Sequence, residues 1–342
     1  QGASNLVGQL PWLIAPWCWA IMHNQAWFGD IVQGGRFLSI IIGSIVVGCG
    51  IMPAIFNKEY FRDLPKPKVR GALDVTKDFF NGAAITLKCK PFVKLCTATL
   101  LIFGGFMLAS AFTIYVVFFY VFKNAGVLDN AYAGGGKLLG WYGTFSAICT
   151  MGVIYLTTWL SSKIGKRNTF FITIPLSIIG YALKWIGYNP DHPYLLLIAA
   201  PFIAFGLGSL FTLMGSMVAD VCDLDELKTD TRREGMFGAV YWWMVKLGLA
   251  LASVISGFLI NATGFHQELG LAQAPGTLLW MRIFDICIPI ITSFAALFII
   301  KSFEISEDKA YDIRGQVERR RTERRNEEIR VEEERRKGQR RD

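Results

Sequence analysis

The sequence predicts an all-α protein with several membrane-spanning helices, and two features of its composition indicate this fold class. Of the 342 residues, 53% are hydrophobic and 14% are aromatic, whereas an ordinary soluble domain is about 45–50% apolar. The charged residues are concentrated in a few short stretches between long uncharged ones, as a bilayer requires. The net charge of +8 is confined to these stretches, so the sequence predicts a lipid bilayer and not a nucleic acid as the partner.

Eight stretches are long enough to cross a bilayer, whose apolar core of about 30 Å requires about 20 helical residues. They are residues 4–22, 37–56, 98–122, 138–162, 169–187, 194–219, 237–260 and 277–300. The first contains Gln9, Pro11 and Pro16, and membrane helices tolerate proline where neighbouring groups satisfy the freed carbonyl. All eight are far longer than the roughly 9–11 residues of a membrane strand, so helices are predicted.

Lysine and arginine are concentrated in alternate connections, which predicts how the chain is oriented. The connections after the second, fourth and sixth spans hold most of these residues, whereas the others hold few, among them Lys123 and Lys137. The basic connections are therefore expected in the cytoplasm of a multi-pass cell-membrane protein, together with the C-terminus. The longest polar connection contains Pro65 and Pro67 and is predicted to link two helical bundles.

Two spans precede this linker and six follow it, as expected for part of a protein built from two six-helix halves. On this count the spans are the fifth to twelfth helices of a twelve-helix protein, and a genuine eight-helix protein is the alternative. The predicted domains are the end of a first bundle, the linker, a complete second bundle and a charged cytoplasmic tail, over residues 1–56, 57–96, 97–303 and 304–342. The chain opens on Gln1 without a recognisable signal peptide, so an incomplete N-terminus is expected.

The tail after Arg314 mixes arginines with glutamates at spacings that permit pairs between residues i and i+4. This pattern predicts a soluble, partly helical segment. Binding of anionic lipid or nucleic acid by the arginines is the alternative, although the interleaved glutamates weaken their field.

The densest group of charged residues lies at residues 217–235, and Lys246 follows inside the seventh span. Here the sequence resembles the glycoside-pentoside-hexuronide:cation symporters, the family of melibiose permease in the major facilitator superfamily. The residues that carry the resemblance are Ala219, Asp220, Val221, Asp223, Glu226, Thr229, Arg232, Glu234, Gly235, Lys246 and Gly248. Asp230 departs from the pattern, because family members often carry glycine at this position.

The resemblance covers residues 1–303 and implies a twelve-helix fold that takes up a sugar or glycoside together with a monovalent cation, sodium or proton. The carboxylates that coordinate the cation in this family belong to its second and fourth helices, which are not among the predicted spans. We therefore expect no complete cation site, no cofactor other than this cation, and a monomer. A sensor or a non-sugar transporter of the same fold is the alternative function.

The charged connection after the sixth span is predicted to act as a cytoplasmic gate. Its residues are Asp220, Asp223, Glu226, Arg232, Arg233 and Glu234, with Asp225 and Lys228 beside them. Ion pairs among these groups would join the cytoplasmic ends of two helices and separate as the bundles rock. The alternative is a solvated connection that only fixes topology, since an exposed pair contributes about 0–1 kcal/mol.

Lys246 lies about ten residues, or about 15 Å, inside its span and therefore near the bilayer midplane. An amine at this depth usually faces the bundle interior and marks a substrate or ion path, so Lys246 is predicted to be functional; a structural ion pair is the alternative. Asp285, at nearly the same depth in the last span, is its possible partner. Arg282, one turn before Asp285, competes for that carboxylate and is the nearer candidate.

Sugar recognition usually combines aromatic faces with polar groups in a mostly apolar pocket. The resemblance places Phe211, Tyr241, Trp242 and Trp243 near the depth of the family's sugar site, and Gln1 where the family uses an arginine. For each aromatic residue the alternative role is packing or lipid contact.

The remaining basic residues near span ends are predicted to extend to the membrane surface as anchors, namely Arg36, Lys123, Lys137 and Lys184. Seven cysteines and three histidines show no metal-binding spacing, so no metal site is expected. The sequence lacks HExxH, GxSxG and phosphate-loop patterns, and it lacks the filter-like repeats of a channel, so neither an enzyme nor a channel is predicted.

Overall fold

The computed structural model of this protein describes residues 7–23, 27–57 and 71–338, with side chains throughout except at residues 72, 75, 78, 328 and 331–338. Gln1 and residues 58–70 of the predicted linker, which include Pro65 and Pro67, fall outside the described residues. Helices and short turns make up the described part, which confirms the predicted all-α class.

The described helices are numbered here in chain order. They are α1 (Leu10–Met22), α2 (Ile31–Phe56), α3 (Ala72–Thr86), α4 (Lys90–Val121), α5 (Leu128–Ile164), α6 (Lys166–Gly187), α7 (Pro193–Thr229), α8 (Glu234–Ala262), α9 (Pro275–Lys301) and α10 (Glu307–Gly338). The helix α1 contains a 3-10 turn at Ala15–Trp17, α7 begins with the 3-10 turn Pro193–Ala199, and α4 ends in the π-helical turn Val117–Val121.

Seven helices within the described ranges, α2 and α4 to α9, are long and apolar enough to cross a membrane. The eighth predicted span corresponds to α1, which is shorter and interrupted at the turn that contains Pro16. Proline removes a backbone donor and blocks the bond to the preceding turn, which explains the interruption. The chain is thus a multi-pass membrane protein with seven long spans and one shorter apolar helix in its described part.

Two helix boundaries differ from the sequence prediction. The helix α4 begins at Lys90, so the end of the predicted linker is helical; Pro91 occupies the first turn, where proline fits without loss of a hydrogen bond. The helix α7 continues past Ala219 to Thr229 and ends at Asp230. A prediction of helix length from the apolar residues alone misses such polar extensions, because a helix can continue beyond the apolar core of the membrane.

The helices α4 to α9 run alternately up and down and form one bundle around α4, which packs against α7, α8 and α9. Gly105 allows the close approach of α4 and α9, because a Cβ atom at this position would lie 2.1 Å from Oγ1 of Thr292. Small residues permit such approaches in membrane helices. Gly206 likewise allows α6 and α7 to approach closely, since a Cβ atom there would lie 2.8 Å from Cβ of Ser177.

The helix α1 packs on α5 through a stripe of glycines. A Cβ atom at Gly143 would lie 2.1 Å from Cγ of Pro16, and one at Gly140 would lie 2.7 Å from the ring of Trp17. The indole of Trp17 also donates a hydrogen bond to Oγ1 of Thr144 at 2.8 Å. These contacts fix α1, which belongs to the predicted first bundle, against the six-helix bundle.

The starts of α4, α6 and α8 and the ends of α5, α7 and α9 lie at one end of the bundle, which we call the charged end. The helices α3 and α10 pack there, α3 against α8 and α10 against α7. Ala310, Ile313 and Val317 of α10 are buried. The tail is therefore helical, as predicted, and it is docked onto the bundle through a short apolar face.

Candidate functional site

A buried ion pair joins Lys184 of α6 to Asp285 of α9. The ammonium nitrogen of Lys184 lies 2.7 Å from the carboxylate, and the two side chains are 2% and 0% exposed. The hydroxyl of Tyr188 donates to Oδ2 of Asp285 at 2.6 Å. An intramembrane charge pair satisfied by hydrogen bonds is a candidate functional site, because buried charge in a membrane is costly and rare.

Thr113 of α4 completes this cluster. Its Oγ1 accepts a hydrogen bond from Nζ of Lys184 at 2.7 Å. The same oxygen lies 2.9 Å from both the carbonyl oxygen of Ala109 and Oδ1 of Asp285. Because a hydroxyl has one proton, Thr113 donates to one of these two acceptors at a time. The π-helical turn of α4 follows one turn later, and such turns are frequent at functional sites.

Three sequence predictions about these charges are wrong. Asp285 pairs with Lys184 and not with Lys246. Arg282 is not the partner either, because its guanidinium lies over the rings of Tyr120 and Trp185 at 4.3 and 4.2 Å and donates to the backbone oxygen of Trp185. Lys184 is a buried partner and not a surface anchor, because the carboxylate of Asp285 and the hydroxyl of Thr113 bind its ammonium group inside the bundle.

Lys246 is exposed on the surface of α8 and does not face the interior of the described bundle, contrary to the prediction. Trp242 lies one turn before it on the same face and is 55% exposed. The buried amine that the sequence analysis expected at Lys246 is therefore found at Lys184. Among the described residues, Lys246 forms no ion pair with a carboxylate.

A cavity of about 310 Å³ opens between α1 and the helices α4, α5, α6 and α7, and Lys184 is one of the residues that line it. Most of the wall is apolar, with aromatic rings contributed by Trp12, Trp19, Phe106, Tyr142 and Tyr181. Hydroxyl groups are contributed by Ser110, Thr113, Ser146 and Thr150, and an amide by Gln9. An apolar pocket with a few convergent polar groups is the usual form of a site for a small ligand.

Three of the four predicted aromatic residues form one group. Phe211 stacks on Trp242 with ring centres 6.0 Å apart, and Tyr241 meets Trp242 edge to face at 5.7 Å. Tyr241 is buried, whereas Trp243 is exposed and lies apart from this stack. The group continues the cavity wall, because Ile203, Leu207 and Phe211 follow one another at four-residue spacing on α7.

The predicted gate residues form ion pairs at the charged end, but most of them are helical. Asp220, Asp223 and Glu226 lie on the last turns of α7, and a short connection with Arg232 and Arg233 leads to α8. Arg233 binds Asp225 through two nitrogens at 2.8 and 3.0 Å. This pair joins the last turns of α7 to the connection that leads to α8, and the gating role stays a prediction.

Further pairs at the charged end involve Lys166, which was not among the predicted gate residues, and the predicted residues Arg232, Glu226 and Glu234. Lys166 of α6 binds the carboxylate of Asp220, which is 5% exposed, at 2.6 Å. Arg232 bridges Glu226 at 3.4 Å and Glu234 at 2.6 Å. Asp223 is half-buried on the same part of α7.

Arginines of α10 bind the same carboxylates of α7. Arg321 donates to Oε1 of Glu226 at 2.8 Å, and Arg314 lies 3.7 Å from Asp220. The bond between Arg321 and Glu226 raises the pKa of that guanidinium further above its ordinary value. At least part of the tail's positive charge is thus neutralised by the bundle.

Several known proteins with similar sequences are named as transporters or symporters. Residues 4–307 match the family described as MFS/sugar transport protein. The chain is 25% identical over 231 residues to an uncharacterised symporter of Bacillus subtilis. The aligned residues make up 68% of the chain and 47% of that symporter.

The chain is also 25% identical over 248 residues to a glucuronide carrier protein homologue of Escherichia coli, which covers 72% of the chain and 51% of the homologue. It is 27% identical over 112 residues to the isoprimeverose transporter of Lactiplantibacillus pentosus, which covers 33% of the chain and 23% of that transporter. The chain therefore spans about half or less of the length of these relatives.

Proposed function

We propose that this chain, which belongs to the MFS/sugar transport protein family, takes part in carrying a sugar across a membrane by alternating access. The observation that carries the proposal is the cavity between α1 and the six-helix bundle. Its volume of about 310 Å³ and its aromatic wall suit a small sugar, since ligand pockets begin at about 300 Å³. Transporters of this kind bind substrate between their two repeats.

The proposed sugar path extends from this cavity toward the charged end along α4, α7 and α8. Phe103 of α4 meets Phe211 edge to face at 5.5 Å, so rings from α4, α7 and α8 are continuous with the cavity wall. Aromatic faces bind the C–H surfaces of sugars. Lys246 and Trp243 are exposed on α8 near Trp242 in the chain, and we assign them to the same path.

We also propose an orientation of the protein in the membrane and a gradient that drives its transport. Because basic residues are concentrated at the charged end, we place this end and the C-terminus in the cytoplasm of a cell-membrane protein. A cation gradient, sodium or proton, would drive uptake, with one molecule as the transporting unit. The relatives named as symporters support this coupling without identifying the cation.

We further propose that the charged end acts as the closed inner gate of the path. The described ion pairs connect α7 directly to α6 and α10, and to α8 through Arg232, and they lie beyond the stack of Phe211 and Trp242 along α7. An opening of this end requires these helices to separate, which breaks several pairs at once. Pairs that break and re-form with helix movement suit alternating access.

The test is uptake into proteoliposomes that contain the protein as its gene encodes it. Radiolabelled xylose, methyl β-D-glucoside and glucuronate are supplied with an inward sodium gradient, an inward proton gradient or no gradient. Saturable uptake of one sugar that depends on a gradient supports the proposal. Non-saturable flux indicates a pore, and the absence of saturable uptake or binding for all three sugars contradicts sugar transport. Liposomes without protein give the leak.

A further inference from the structure

We propose that residues 314–324 of α10, which we call the latch, hold the charged end closed at low ionic strength and release it as the salt concentration rises. The inference rests on the proposed function, because it assigns a regulation to the charged end, the proposed inner gate. The latch lies outside residues 4–307, the part of the chain that matches the family, so the family match says nothing about it.

The chain in front of the latch is anchored by contacts that do not depend on salt. Phe303, Ile305 and Ala310 are buried in one apolar cluster with residues of α4, α6, α7 and α8. The carboxylate of Glu307 also accepts a hydrogen bond from the backbone nitrogen of Lys166, at the start of α6, at 3.3 Å. Burial of apolar surface involves no charge, so dissolved ions do not screen it. This anchor keeps the latch beside α7 under all salt conditions.

The latch itself is held on α7 by ion pairs. An arginine and a carboxylate meet at three successive places along the two helices, namely Arg314 with Asp220, Arg321 with Glu226 and Arg324 with Asp230. Because the partners follow in the same order along both helices, α10 runs beside the end of α7 in the same direction. The latch therefore covers the polar turns by which α7 extends beyond its apolar part.

The exposure of these pairs makes them sensitive to ionic strength. The three arginines are 44–52% exposed, and exposed pairs are screened by salt far more than buried ones. The screening length falls from about 30 Å at 0.01 M to about 3 Å at 1 M ionic strength. A rise in salt therefore weakens the attraction between the latch and α7, while the apolar anchor stays in place.

The latch is connected to the start of α8 through Glu226. The carboxylate of Glu226 binds Arg321 of the latch and also Arg232, which in turn binds Glu234 of α8. Without the latch, Glu226 and Asp220 each lose one of two described cationic partners. Carboxylates one turn apart on a helix then repel each other more strongly. The end of α7 becomes less stable, and the charged end opens more often.

The test uses the protein as its gene encodes it, in lipid nanodiscs, and two measurements that need no sugar. Amide hydrogen exchange over residues 314–330 measures the docking of the latch. Modification of Cys222 by N-ethylmaleimide, followed by mass spectrometry, measures the opening of the charged end, because this thiol is buried in the last turns of α7. Both are followed at about 0.01 M and about 1 M potassium chloride. Sucrose of equal osmolality separates ionic strength from osmotic pressure.

In the wild-type protein, both exchange and Cys222 modification should be about tenfold faster at high salt, which corresponds to about 1.4 kcal/mol. Arg321→Gln/Arg324→Gln should be fast already at low salt and should respond little to more salt. Arg319→Gln/Arg325→Gln is the matched control. It removes the same charge from exposed positions of the same helix, but these two arginines form no ion pair with α7 in the described part of the chain. The control should respond to salt as the wild-type protein does.

Four results would overturn the proposal. They are a rate of Cys222 modification that is independent of salt in the wild-type protein, equal behaviour of the two double variants, the same acceleration by sucrose, and a latch that exchanges faster at high salt while Cys222 stays protected. The last result would mean that the tail detaches without controlling the gate. If Cys222 responds as expected but no sugar is taken up, the proposed function fails and the latch stands.

Discussion

Asp230 adopts a left-handed backbone conformation with φ 57°, and its carboxylate binds Arg324 of α10. Arg320 lies 3.5 Å from the same carboxylate and donates to the backbone oxygen of Leu227 at 2.8 Å. Glycine adopts this conformation without steric cost, and aspartate tolerates it better than most residues. The position where the sequence departs from the resembling family is thus a contact with the C-terminal helix.

Replacement of Asp230 by glycine should release α10 without unfolding the bundle. The change removes the two arginine contacts, each worth about 0–1 kcal/mol because the groups are exposed. It also relieves a left-handed conformation that costs a residue with a Cβ atom about 1–2 kcal/mol. We expect faster amide hydrogen exchange over residues 307–330 and an unchanged or slightly higher melting temperature, measured by mass spectrometry and thermal unfolding in detergent.

Asp230→Asn is the matched control, because asparagine tolerates the left-handed conformation but carries no charge. It should loosen α10 as much as glycine does, if the charge anchors the helix. Exchange in α10 that is the same for wild type and both variants would show that the apolar contacts of Ala310, Ile313 and Val317 suffice to hold the helix.

Loss of one partner of the buried pair should strongly destabilise the bundle. Lys184→Met leaves the Asp285 carboxylate buried without its counter-charge, which we expect to cost about 3–5 kcal/mol. The double variant Lys184→Met/Asp285→Leu should recover most of this stability, because it removes both charges together. Thermal unfolding in detergent, followed by size-exclusion chromatography, measures both effects. A single variant as stable as wild type would mean that the pair is hydrated.

The sequence was sufficient for the fold class, because the number and length of apolar stretches are set by the bilayer. It also predicted ion pairs among the charged residues that follow the sixth span, because these residues lie close together in the chain, but it did not predict that Asp225 pairs with Arg233 and Glu226 with Arg232. It was not sufficient for the partner of Asp285. Lys184 lies on a different helix, near the end of its span, and depth along a helix does not reveal the face on which a side chain lies. One signal was present: Tyr188, the residue after α6, follows Lys184 by four residues, a spacing at which two side chains at the end of a helix can lie close together.

Lys246→Ala should reduce sugar uptake while leaving stability almost unchanged. The side chain is exposed and has no ion pair within the described ranges, so its removal should change the free energy of unfolding by no more than about 0.5 kcal/mol. Its place one turn beyond Trp242 is the reason to expect an effect on uptake. Lys137→Ala, another exposed lysine, is the control and should leave uptake unchanged. Wild-type uptake by Lys246→Ala would remove this residue from the proposed path.

Gly143→Val should displace α1 and open the wall of the cavity. A Cβ atom at Gly143 would lie 2.1 Å from Cγ of Pro16, and both atoms belong to rigid groups, so the helices must separate. Overpacking of this kind usually costs about 1–3 kcal/mol. The displacement should also break the hydrogen bond between Trp17 and Thr144, which holds α1 beside the cavity.

The control for this change is Gly152→Val on the same helix, because a Cβ atom at Gly152 has no neighbour within 4 Å. Both variants introduce the same β-branched residue into α5, so they share any loss of helix propensity. Gly143→Val should lower the melting temperature and weaken sugar binding, measured by equilibrium dialysis, whereas Gly152→Val should do neither. Equal sugar affinity in the two variants would show that α1 forms no part of the binding site, and the sugar would then have to bind among α4, α7 and α8.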